Sequence, residues 1–342
     1  MSRVLITGGV GALGAAVARR LLADPAFDVR ISDERPAPQW MREGCEVHRG
    51  DLRVAGQATA ATKGCSHVIH LACFTDHARA APYALLEYEA ALHNSVIDAA
   101  LDRDVERLLF ASSPLVFERA ELFPTPEEHL EQCLAPRSAG GFARLAGERQ
   151  CAAAHRERGL RYAICRPFGA YGPAISPGTP PGTEAEHAPA GPAHEVGELI
   201  ERAGAGVRPL PIFATGEQTL TPTHVDDLAE GIVAALSSAA AANEDFNLAA
   251  ARELSLAEIA QIAWRAVAGG AEEAVAGRAE EAPLERLPAR EIDIPRSYPS
   301  VAKARELLGW EARIDAATGI AALAAEARER AVAHAAEVAA GD

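Results

Sequence analysis

Short runs of apolar residues alternate with amphipathic stretches along the first half of the chain. The runs are rich in valine, isoleucine and leucine, which is typical of strands buried on both faces. Between them, apolar residues recur with helical spacing, as in GALGAAVARRLLAD after the first strand. This alternation predicts βαβ units and an α/β fold on a doubly wound parallel sheet. The predicted strands are RVLITGG, DVRISD, CEVHRGD, HVIHLA, RLLFASS and RYAICRP.

The pattern changes after the sixth predicted strand. Residues 172–195 are rich in proline and glycine and have no periodicity. A segment of this length inside a compact domain is either a lid over a site or a disordered segment, and the sequence leaves both open. Helical spacing returns in LSLAEIAQIAWRAV and SVAKARELLGW, and the alanine-rich end after Asp315 predicts a helix that frays.

Composition narrows the classes of function. The 342 residues are enough for about two domains, and the net charge of −15 argues against a nucleic-acid partner, which needs a basic surface. No apolar run is long enough to span a membrane, and the first residues enter a strand pattern directly, so a cytoplasmic protein is expected. The six cysteines have no CxxC or metal-ligand spacing, so we interpret them as reduced and expect no metal.

The segment TGGVGALG, from Thr7 to Gly14, lies between a predicted strand and a predicted helix. In that setting, backbone N–H groups and the helix dipole can receive a pyrophosphate. Asp33 ends the second strand nineteen residues after Gly14, where a carboxylate can hold the adenosine ribose. Asp51 follows the third strand, where it could reach the adenine amino group. We therefore predict NAD(P)H as cofactor; Asp33 favours NAD(H), whereas Arg35 could pair with the 2′-phosphate of NADP(H).

Further segments extend this pattern from residue 1 to about residue 314. They are HVIHLAC, FASSPLVF, RPFGAYGP, HVDDLA, FNL and SVAKARELLGW. With the glycine motif, they resemble the extended short-chain dehydrogenase/reductase family, in its nucleotide-sugar epimerase and dehydratase branch. The resemblance implies a Rossmann-type domain over 1–168 and a smaller C-terminal α/β domain over 169–342 that mainly binds substrate. Segments around 205–240 would return to the first domain, the substrate would lie in the cleft, and a homodimer is possible.

The resemblance also implies which residues contact the cofactor and the reacting atoms. The family's catalytic serine corresponds to Ser113, whose hydroxyl could donate to a substrate carbonyl. The expected cofactor contacts are Thr7, Gly8, Gly11, Ala12, Leu13, Gly14, Asp33, Arg35, Asp51, Leu52, Leu71, Ala72, Cys73, Arg144 and Pro167.

Two residues of the family's catalytic apparatus are replaced in this chain. In SAGGFARLAGE, the tyrosine position holds Gly140 and the lysine position holds Arg144. None of the five tyrosines has a lysine four residues later, so no shifted motif exists. A guanidinium is too weak an acid to donate a proton, although Arg144 could still hold the nicotinamide ribose.

Contacts that the family uses for a nucleotide-sugar diphosphate are also altered. An asparagine position holds Gly169 and a phosphate-binding arginine position holds Leu220, whereas Arg290 matches a third anion contact. Losing two charge-assisted or polar contacts of three argues against a diphosphate ligand.

Three functions are compatible with these residues. The first is reduction of a ketone whose own neighbouring hydroxyl supplies the proton, as in hydroxylated aromatic polyketides such as angucyclinones; the missing tyrosine resembles an angucyclinone ketoreductase of antibiotic biosynthesis. The partner would then be a small aromatic ketone. The second is nucleotide-sugar chemistry with a substitute acid/base. The third is a dinucleotide-binding sensor without catalysis.

Some polar side chains are candidates for the substitute acid/base, and others are better explained by a structural role. Tyr88, beside Glu89, is the best substitute, and the other candidates in or near that segment are His77, His93 and Ser95. His70 is more simply a buried core histidine. Asp226 and Asp227 begin a predicted helix, where carboxylates favour the dipole, so a catalytic dyad is not expected.

Overall fold

The computed structural model describes residues 1–74, 81–173, 192–269, 281–289 and 294–341. The strands of its main sheet are β1 (Ser2–Thr7), β2 (Phe27–Asp33), β3 (Glu46–Arg49), β4 (His67–His70), β5 (Arg107–Ala111), β6 (Tyr162–Pro167) and β11 (Asp245–Leu248). All seven are parallel, in the order β11-β6-β5-β4-β1-β2-β3. The six strands predicted from the sequence are all present, so the doubly wound α/β prediction is confirmed.

Helices cover both faces of this sheet, because both faces of its central strands are apolar. They are α1 (Ala12–Leu22), α2 (Gln39–Gly44), α3 (Gln57–Thr62), α4 (Pro82–Asp102), α5 (Ala139–Arg158) and α7 (Val225–Ser237). One face packs against α1 and α7, which also contact each other, and the other against α3, α4 and α5. Short 3₁₀ turns lie at Pro114–Phe117, Glu127–Glu131 and Ala239–Ala241.

A second, smaller α/β unit follows β6. Its strands pair as β7 (Ala170–Tyr171) with β10 (Thr223–His224), β8 (Leu210–Phe213) with β13 (Leu284–Leu287), and β9 (Thr219–Leu220) with β12 (Leu254–Ser255) and β14 (Arg296–Ser297). Its helices are α6 (Pro192–Gly204), α8 (Leu256–Gly269) and α10 (Ala316–Gly341), whereas α9 (Ala302–Leu308) packs against α7 and β11 of the main unit. Its apolar core includes Val196, Ile200, Ile259 and Ile320, where α6, α8 and α10 pack together.

The chain returns to the main unit after the first part of the smaller one. Helix α7 packs against α1, and β11 extends the main sheet beside β6. The division at residue 168 stays a prediction. Most of the proline- and glycine-rich segment, residues 174–191, lies outside the described residues. Within the described part of the chain, no helix is both long and apolar enough to cross a membrane.

Candidate dinucleotide site and active site

The glycine loop joins β1 to α1 with very little space around it. Gly8 has a positive φ of 71°, and a Cβ there would lie 2.8 Å from the backbone nitrogen of Ala72. A Cβ on Gly14 would lie 2.4 Å from the carbonyl oxygen of Gly8. Only glycine therefore allows α1 to begin so close to the strand.

The start of α1 is suited to an anion. Its N-cap, Gly11, has no side chain to accept from the first-turn N–H groups, and the first turn holds no acidic residue. The N–H groups and the positive end of the helix dipole therefore remain available for a pyrophosphate. The residues present fit a dinucleotide at this loop, as the sequence predicts for Ala12 and Leu13.

Asp33 ends β2 beside the glycine loop, and its carboxylate is fully engaged. Oδ2 accepts from the Val10 N–H at 2.9 Å and from Arg35 Nη2 at 3.0 Å. Oδ1 accepts from the backbone N–H and the Nε of Arg35, each at 3.0 Å. A ribose hydroxyl can bind this carboxylate only by displacing part of Arg35.

Arg35 lies over the glycine loop. Its Nη2 would be 3.6 Å from a Cβ at Gly11, and its side chain is half exposed. The hydrogen bond from Arg35 to Asp33 raises the pKa of the guanidinium, which therefore stays charged. A cation at this position can meet the 2′-phosphate of a cofactor that carries one.

A second aspartate–arginine pair follows β3. Arg53 donates to both oxygens of Asp51, through Nε at 2.9 Å and Nη2 at 2.7 Å, and this hydrogen bonding lowers the pKa of Asp51. The guanidinium of Arg53 stacks 3.8 Å from the ring centroid of Tyr88. Neighbouring Leu52 is buried in the core.

The position of Tyr88 does not fit the role of substitute acid/base. Its hydroxyl donates to Glu34 at 3.0 Å, and burial together with that carboxylate raises its pKa above the ordinary value. Glu34 follows β2, which is three strands away from β5 and Ser113, or about 14 Å at the usual strand spacing. Tyr88 therefore lies at the adenosine end of the candidate site.

The segment after β4 packs against the glycine loop. The N–H of Leu71 donates to the Thr7 carbonyl at 3.1 Å, and the N–H of Ala72 donates to Thr7 Oγ1 at 3.2 Å. Cys73 follows, and burial raises the pKa of its thiol although Arg144 is close. Leu71, Ala72 and Cys73 thus border the loop, where the sequence predicts cofactor contacts.

Ser113 lies just beyond the carboxyl end of β5. Its Oγ accepts from the Leu115 N–H at 3.2 Å and caps the 3₁₀ turn that follows. A hydroxyl that accepts one bond still has its own proton to donate. Pro167 ends the adjacent strand β6.

The beginning of α5 packs against the same turn. Ser138 caps the helix by accepting from the Gly141 N–H at 3.0 Å. A Cβ on Gly141 would lie 2.7 Å from the Leu115 carbonyl oxygen, so α5 meets the turn at close range. This packing brings Gly140, in the first turn of α5, to the side of the sheet where Ser113 lies.

Arg144, one turn further along α5, is almost fully buried. Its Nη1 donates to the Ala111 carbonyl at 3.0 Å, and its Nη2 lies 3.2 Å from Glu89 Oε2. Arg144 is therefore fixed below the end of β5 by a backbone carbonyl and a carboxylate. Its ion pair with Glu89 is buried, since Glu89 is 1% exposed.

Two histidines extend this ion pair to the glycine loop. His93 Nε2 lies 3.1 Å from Glu89 Oε2, and His93 Nδ1 lies 3.0 Å from His70 Nε2. His70 Nδ1 in turn lies 2.7 Å from Thr7 Oγ1. The sequence did not predict that these groups lie together. The pair Glu89 and His93 could have indicated it, because the two polar residues are four positions apart on the face of α4 that packs against the apolar core.

Burial sets the protonation of this network. Burial lowers the pKa of both His70 and His93, so each ring is neutral near pH 7. Burial would raise the pKa of Glu89, but Arg144, His93 and the Phe74 amide outweigh it and lower that pKa to about 2. The network thus holds one carboxylate, one guanidinium and two neutral imidazoles.

Other candidate residues lie elsewhere. Ser95 is two residues after His93 on α4, so helical geometry turns it about 160° away from the face that carries Glu89–His93. This placement does not support a catalytic role for Ser95. His77 and Arg290 lie outside the described residues. Asp227 Oδ2 accepts from the N–H groups of Arg313 and Ile314, which is a structural role.

The fold explains the residues at positions 169 and 220, where the resemblance implies that two anion contacts of the family are altered. Gly169 has a φ of 54°, and a Cβ there would lie 2.2 Å from the Thr221 carbonyl oxygen, so no side chain fits. Leu220 is 1% exposed and belongs to the core of the smaller unit. Neither position can present a polar group to a ligand in this fold.

The parallel sheet, the glycine loop and the acidic residue after β2 together define a dinucleotide-binding protein of the Rossmann type. Residues 4–249 match the NAD dependent epimerase/dehydratase family, and the chain belongs to this family.

Several relatives are named for nucleotide-sugar epimerisation. GDP-mannose 3,5-epimerase 1 from Oryza sativa subsp. japonica is 26% identical over 238 residues, which are 68% of this chain and 60% of the rice protein. UDP-glucose 4-epimerase from Thermotoga maritima, solved with UDP-glucose, has a TM-score of 0.78 at 22% identity and covers 96% of this chain and 99% of its own. UDP-glucose 4-epimerase from Thermus thermophilus, solved with NAD, has a TM-score of 0.77 at 24% identity over 95% and 99% of the two chains. These structural likenesses show a common fold.

Proposed function

We propose that the protein is an NAD(P)H-dependent ketoreductase that reduces a ketone whose own adjacent hydroxyl supplies the proton. The observation that supports the proposal is the start of α5, where the two positions that the resemblance assigns to the family's tyrosine and lysine hold Gly140 and Arg144. Neither residue can transfer a proton at neutral pH.

The tyrosines support this proposal by their positions. Tyr83 is 77% exposed at the start of α4, and Tyr88 is bonded to Glu34. Tyr162 contacts His155, and Tyr298 lies beside Arg296. Tyr171 is buried so tightly that a Cβ on Gly319 would lie 2.3 Å from its hydroxyl. None of the five tyrosines lies on α5 beside Arg144.

The reaction needs little acid/base chemistry from the protein. The nicotinamide, when bound, supplies the hydride. Hydride adds to the carbonyl carbon, the C=O π electrons move to the oxygen, and that oxygen takes the proton of the neighbouring hydroxyl. The resulting phenolate takes a proton from water. Ser113 would donate a hydrogen bond to the carbonyl oxygen as charge develops there, and Arg144 would hold the nicotinamide ribose when the cofactor is bound.

The substrate we propose is an aromatic ketone with a phenol beside the carbonyl, as in hydroxylated polyketides such as angucyclinones. A phenol has a pKa of about 10, so it is a better acid than an aliphatic alcohol. The buried Leu220 and the side-chain-free Gly169 argue against a diphosphate ligand. A glycine at position 140 also leaves more room for a wide ligand than a tyrosine would.

A nucleotide-sugar epimerase or dehydratase is the second candidate. It is favoured by the relatives, which are named for GDP-mannose and UDP-glucose. It requires an acid/base other than Tyr88, and the described groups near Ser113 are poor choices. Glu89 is ionised, and the thiol of Cys73 has a raised pKa.

The decisive experiment follows oxidation of NADH and NADPH separately by the purified protein. The substrates are phenolic polycyclic ketones, their O-methyl ethers, and 4-keto nucleotide sugars. Turnover of the free phenols but not the ethers supports the proposal, because methylation replaces the acidic proton with a methyl group. Turnover of nucleotide sugars favours the second candidate, and cofactor binding without turnover favours a non-catalytic sensor.

A further inference from the structure

The buried polar groups between the glycine loop and α5 form one continuous series. It runs from the Ala72 N–H through Thr7, His70, His93 and Glu89 to Arg144, with successive atoms 2.7 to 3.2 Å apart. The side chains of Thr7 and His70 are fully buried, and those of His93 and Glu89 are 1% exposed. A buried series of this kind is costly unless every member has a partner.

The charges at one end fix the direction of every hydrogen bond. Glu89 is ionised and can only accept, so His93 must carry its proton on Nε2. The His93 ring is neutral, so its Nδ1 accepts and His70 must donate from Nε2. The neutral His70 ring then accepts at Nδ1 from the Thr7 hydroxyl, whose oxygen accepts from the Ala72 N–H.

Two contacts of the series, from His93 Nε2 and from Arg144 Nη2 to Glu89 Oε2, have hydrogen-bond length without the alignment of a hydrogen bond. His93 Nε2 and Glu89 Oε2 are 3.1 Å apart, but neither atom meets the angles of a hydrogen bond. The distance nevertheless places opposite partial charges in contact. We therefore treat both contacts as part of the series.

Within the described part of the chain, the surroundings of His93 leave it no other polar partner. Glu89 lies on its own helix, His70 faces it from β4, and the ring of Phe110 on β5 packs edge-on at 5.0 Å. On α5, a Cβ on Gly147 would lie 3.0 Å from His93 Cδ2. Arg144, also on α5, is the nearby cation.

Resting on the proposed function, in which Arg144 contacts the nicotinamide ribose, we propose that His93 is a positioning residue. With His70, it connects Glu89 and Arg144 to the glycine loop through buried polar contacts. The glycine loop and Arg144, which form two parts of the cofactor site, are thereby fixed relative to each other. The series ends at a backbone N–H and a guanidinium, neither of which gives up a proton at neutral pH, so we assign it no proton transfer. It takes over the orienting part of the missing tyrosine–lysine pair and leaves the proton to the substrate.

The direction of the series is tested on the full-length protein without any ligand. Long-range ¹H–¹⁵N correlation spectra, with His70 and His93 assigned from His70→Gln and His93→Gln, report which ring nitrogen is protonated. We expect both rings to be neutral with the proton on Nε2 from pH 7 to pH 8. A proton on Nδ1 of either ring, or a charged ring at pH 7, overturns the proposal.

The positioning role is tested by cofactor affinity. We expect His93→Leu to raise the dissociation constant of the preferred nicotinamide cofactor about tenfold, as loss of an orienting partner does elsewhere. His93→Gln keeps a donor and an acceptor and should recover most of this loss. The double variant His93→Leu/Arg144→Ala should bind no more weakly than Arg144→Ala alone, since the two residues act through one contact.

A matched control is His155→Leu. Like His93, His155 lies on a helix and has a polar partner, which here is the Leu160 carbonyl at 2.8 Å. It lies near the C-terminal end of α5, away from Arg144. It should leave cofactor affinity unchanged. Additive losses in the double variant overturn the positioning role. If the unaltered protein binds neither cofactor, both the proposed function and the role of His93 in cofactor binding are wrong. The direction of the hydrogen bonds in the series is still tested independently by the ring tautomers.

Discussion

Asp33 occupies the position of a ribose-binding carboxylate, yet both of its oxygens already accept two hydrogen bonds. The motif alone favours NAD(H), because a carboxylate repels a 2′-phosphate. Arg35 changes that expectation, since it neutralises Asp33 and keeps further N–H groups for an acceptor. Cofactor preference is thus decided by the pair and not by the aspartate.

We predict that Arg35→Ala weakens NADPH binding and leaves NADH binding similar or tighter. A charged hydrogen bond contributes about 1.5–3 kcal/mol, which corresponds to a loss of about 10- to 100-fold for NADPH. Fluorescence titration with each cofactor measures both constants. Arg42→Ala is a suitable control, because Arg42 lies on α2 and donates to the carbonyl of Ala37, which precedes that helix. Equal losses for the two cofactors would contradict a role in reading the 2′-phosphate.

Gly140 and Ser113 are the residues whose replacement bears most directly on the reaction. We expect Gly140→Tyr not to raise ketone reduction and to weaken substrate binding, because space and not proton supply is what the glycine provides. Ser113→Ala should lower kcat about tenfold, since it removes one neutral donor while the hydride geometry remains. Steady-state rates with a phenolic ketone check both. A large gain with the tyrosine would mean that proton supply limits the reaction.

At the level of elements, the strand–helix alternation was predictable because each strand is a short apolar run between glycine or polar residues. The glycine loop was also predictable, because its spacing between β1 and α1 has a single physical explanation. The network around His93 was not, since it joins residues from β1, β4, α4 and α5. Its members are ordinary in the sequence, and only the sheet order brings Thr7, His70, Glu89 and Arg144 together.

Backbone conformation also explains why the family's asparagine cannot simply be restored at position 169. We predict that Gly169→Asn lowers the free energy of unfolding by about 2 kcal/mol or more, because the new side chain meets the Thr221 carbonyl. Gly64→Asn is the matched control, since its φ is 73° and no described atom lies within 4 Å of the added Cβ. Asparagine tolerates this conformation, so the control should cost about 1 kcal/mol or less. Urea unfolding of both variants makes the comparison, and equal losses would indicate that φ and not the clash dominates.

At the level of the whole molecule, two units meet along the edge where the parallel strands end. The glycine loop, Ser113 and the end of β6 all lie at the carboxyl ends of strands, which is where ligands bind in open α/β sheets. The returning α7 and β11 join the two parts of the chain into one fold. The homodimer, the cytoplasmic location and the domain boundary stay predictions.

The buried carboxylate of Glu89 links global stability to pH. Its pKa is lowered from 4.5 to about 2 in the folded state, so its contribution is fully present above the unfolded value and is lost as the pH falls toward 2. That difference corresponds to at most about 3 kcal/mol. His70 and His93 also make the protein more stable as the pH rises, but in a higher pH range than Glu89. Their rings resist protonation in the fold, whereas the same rings in the unfolded chain bind protons below about pH 6.5.

We therefore expect Glu89→Gln to be less stable at pH 7, where Arg144 loses its buried partner, and to lose less further stability between pH 4.5 and pH 2.5 than the unaltered protein. Urea midpoints across this range measure the slope, with Glu87→Gln, an exposed residue of the same helix, as the control. Parallel stability curves for Glu89→Gln and the unaltered protein would mean that the fold does not lower the pKa of Glu89. If the unaltered protein instead gained stability relative to Glu89→Gln as the pH fell, the carboxyl would be protonated in the fold. The direction assigned to the His93 series would then fail as well, because that direction depends on a Glu89 that only accepts.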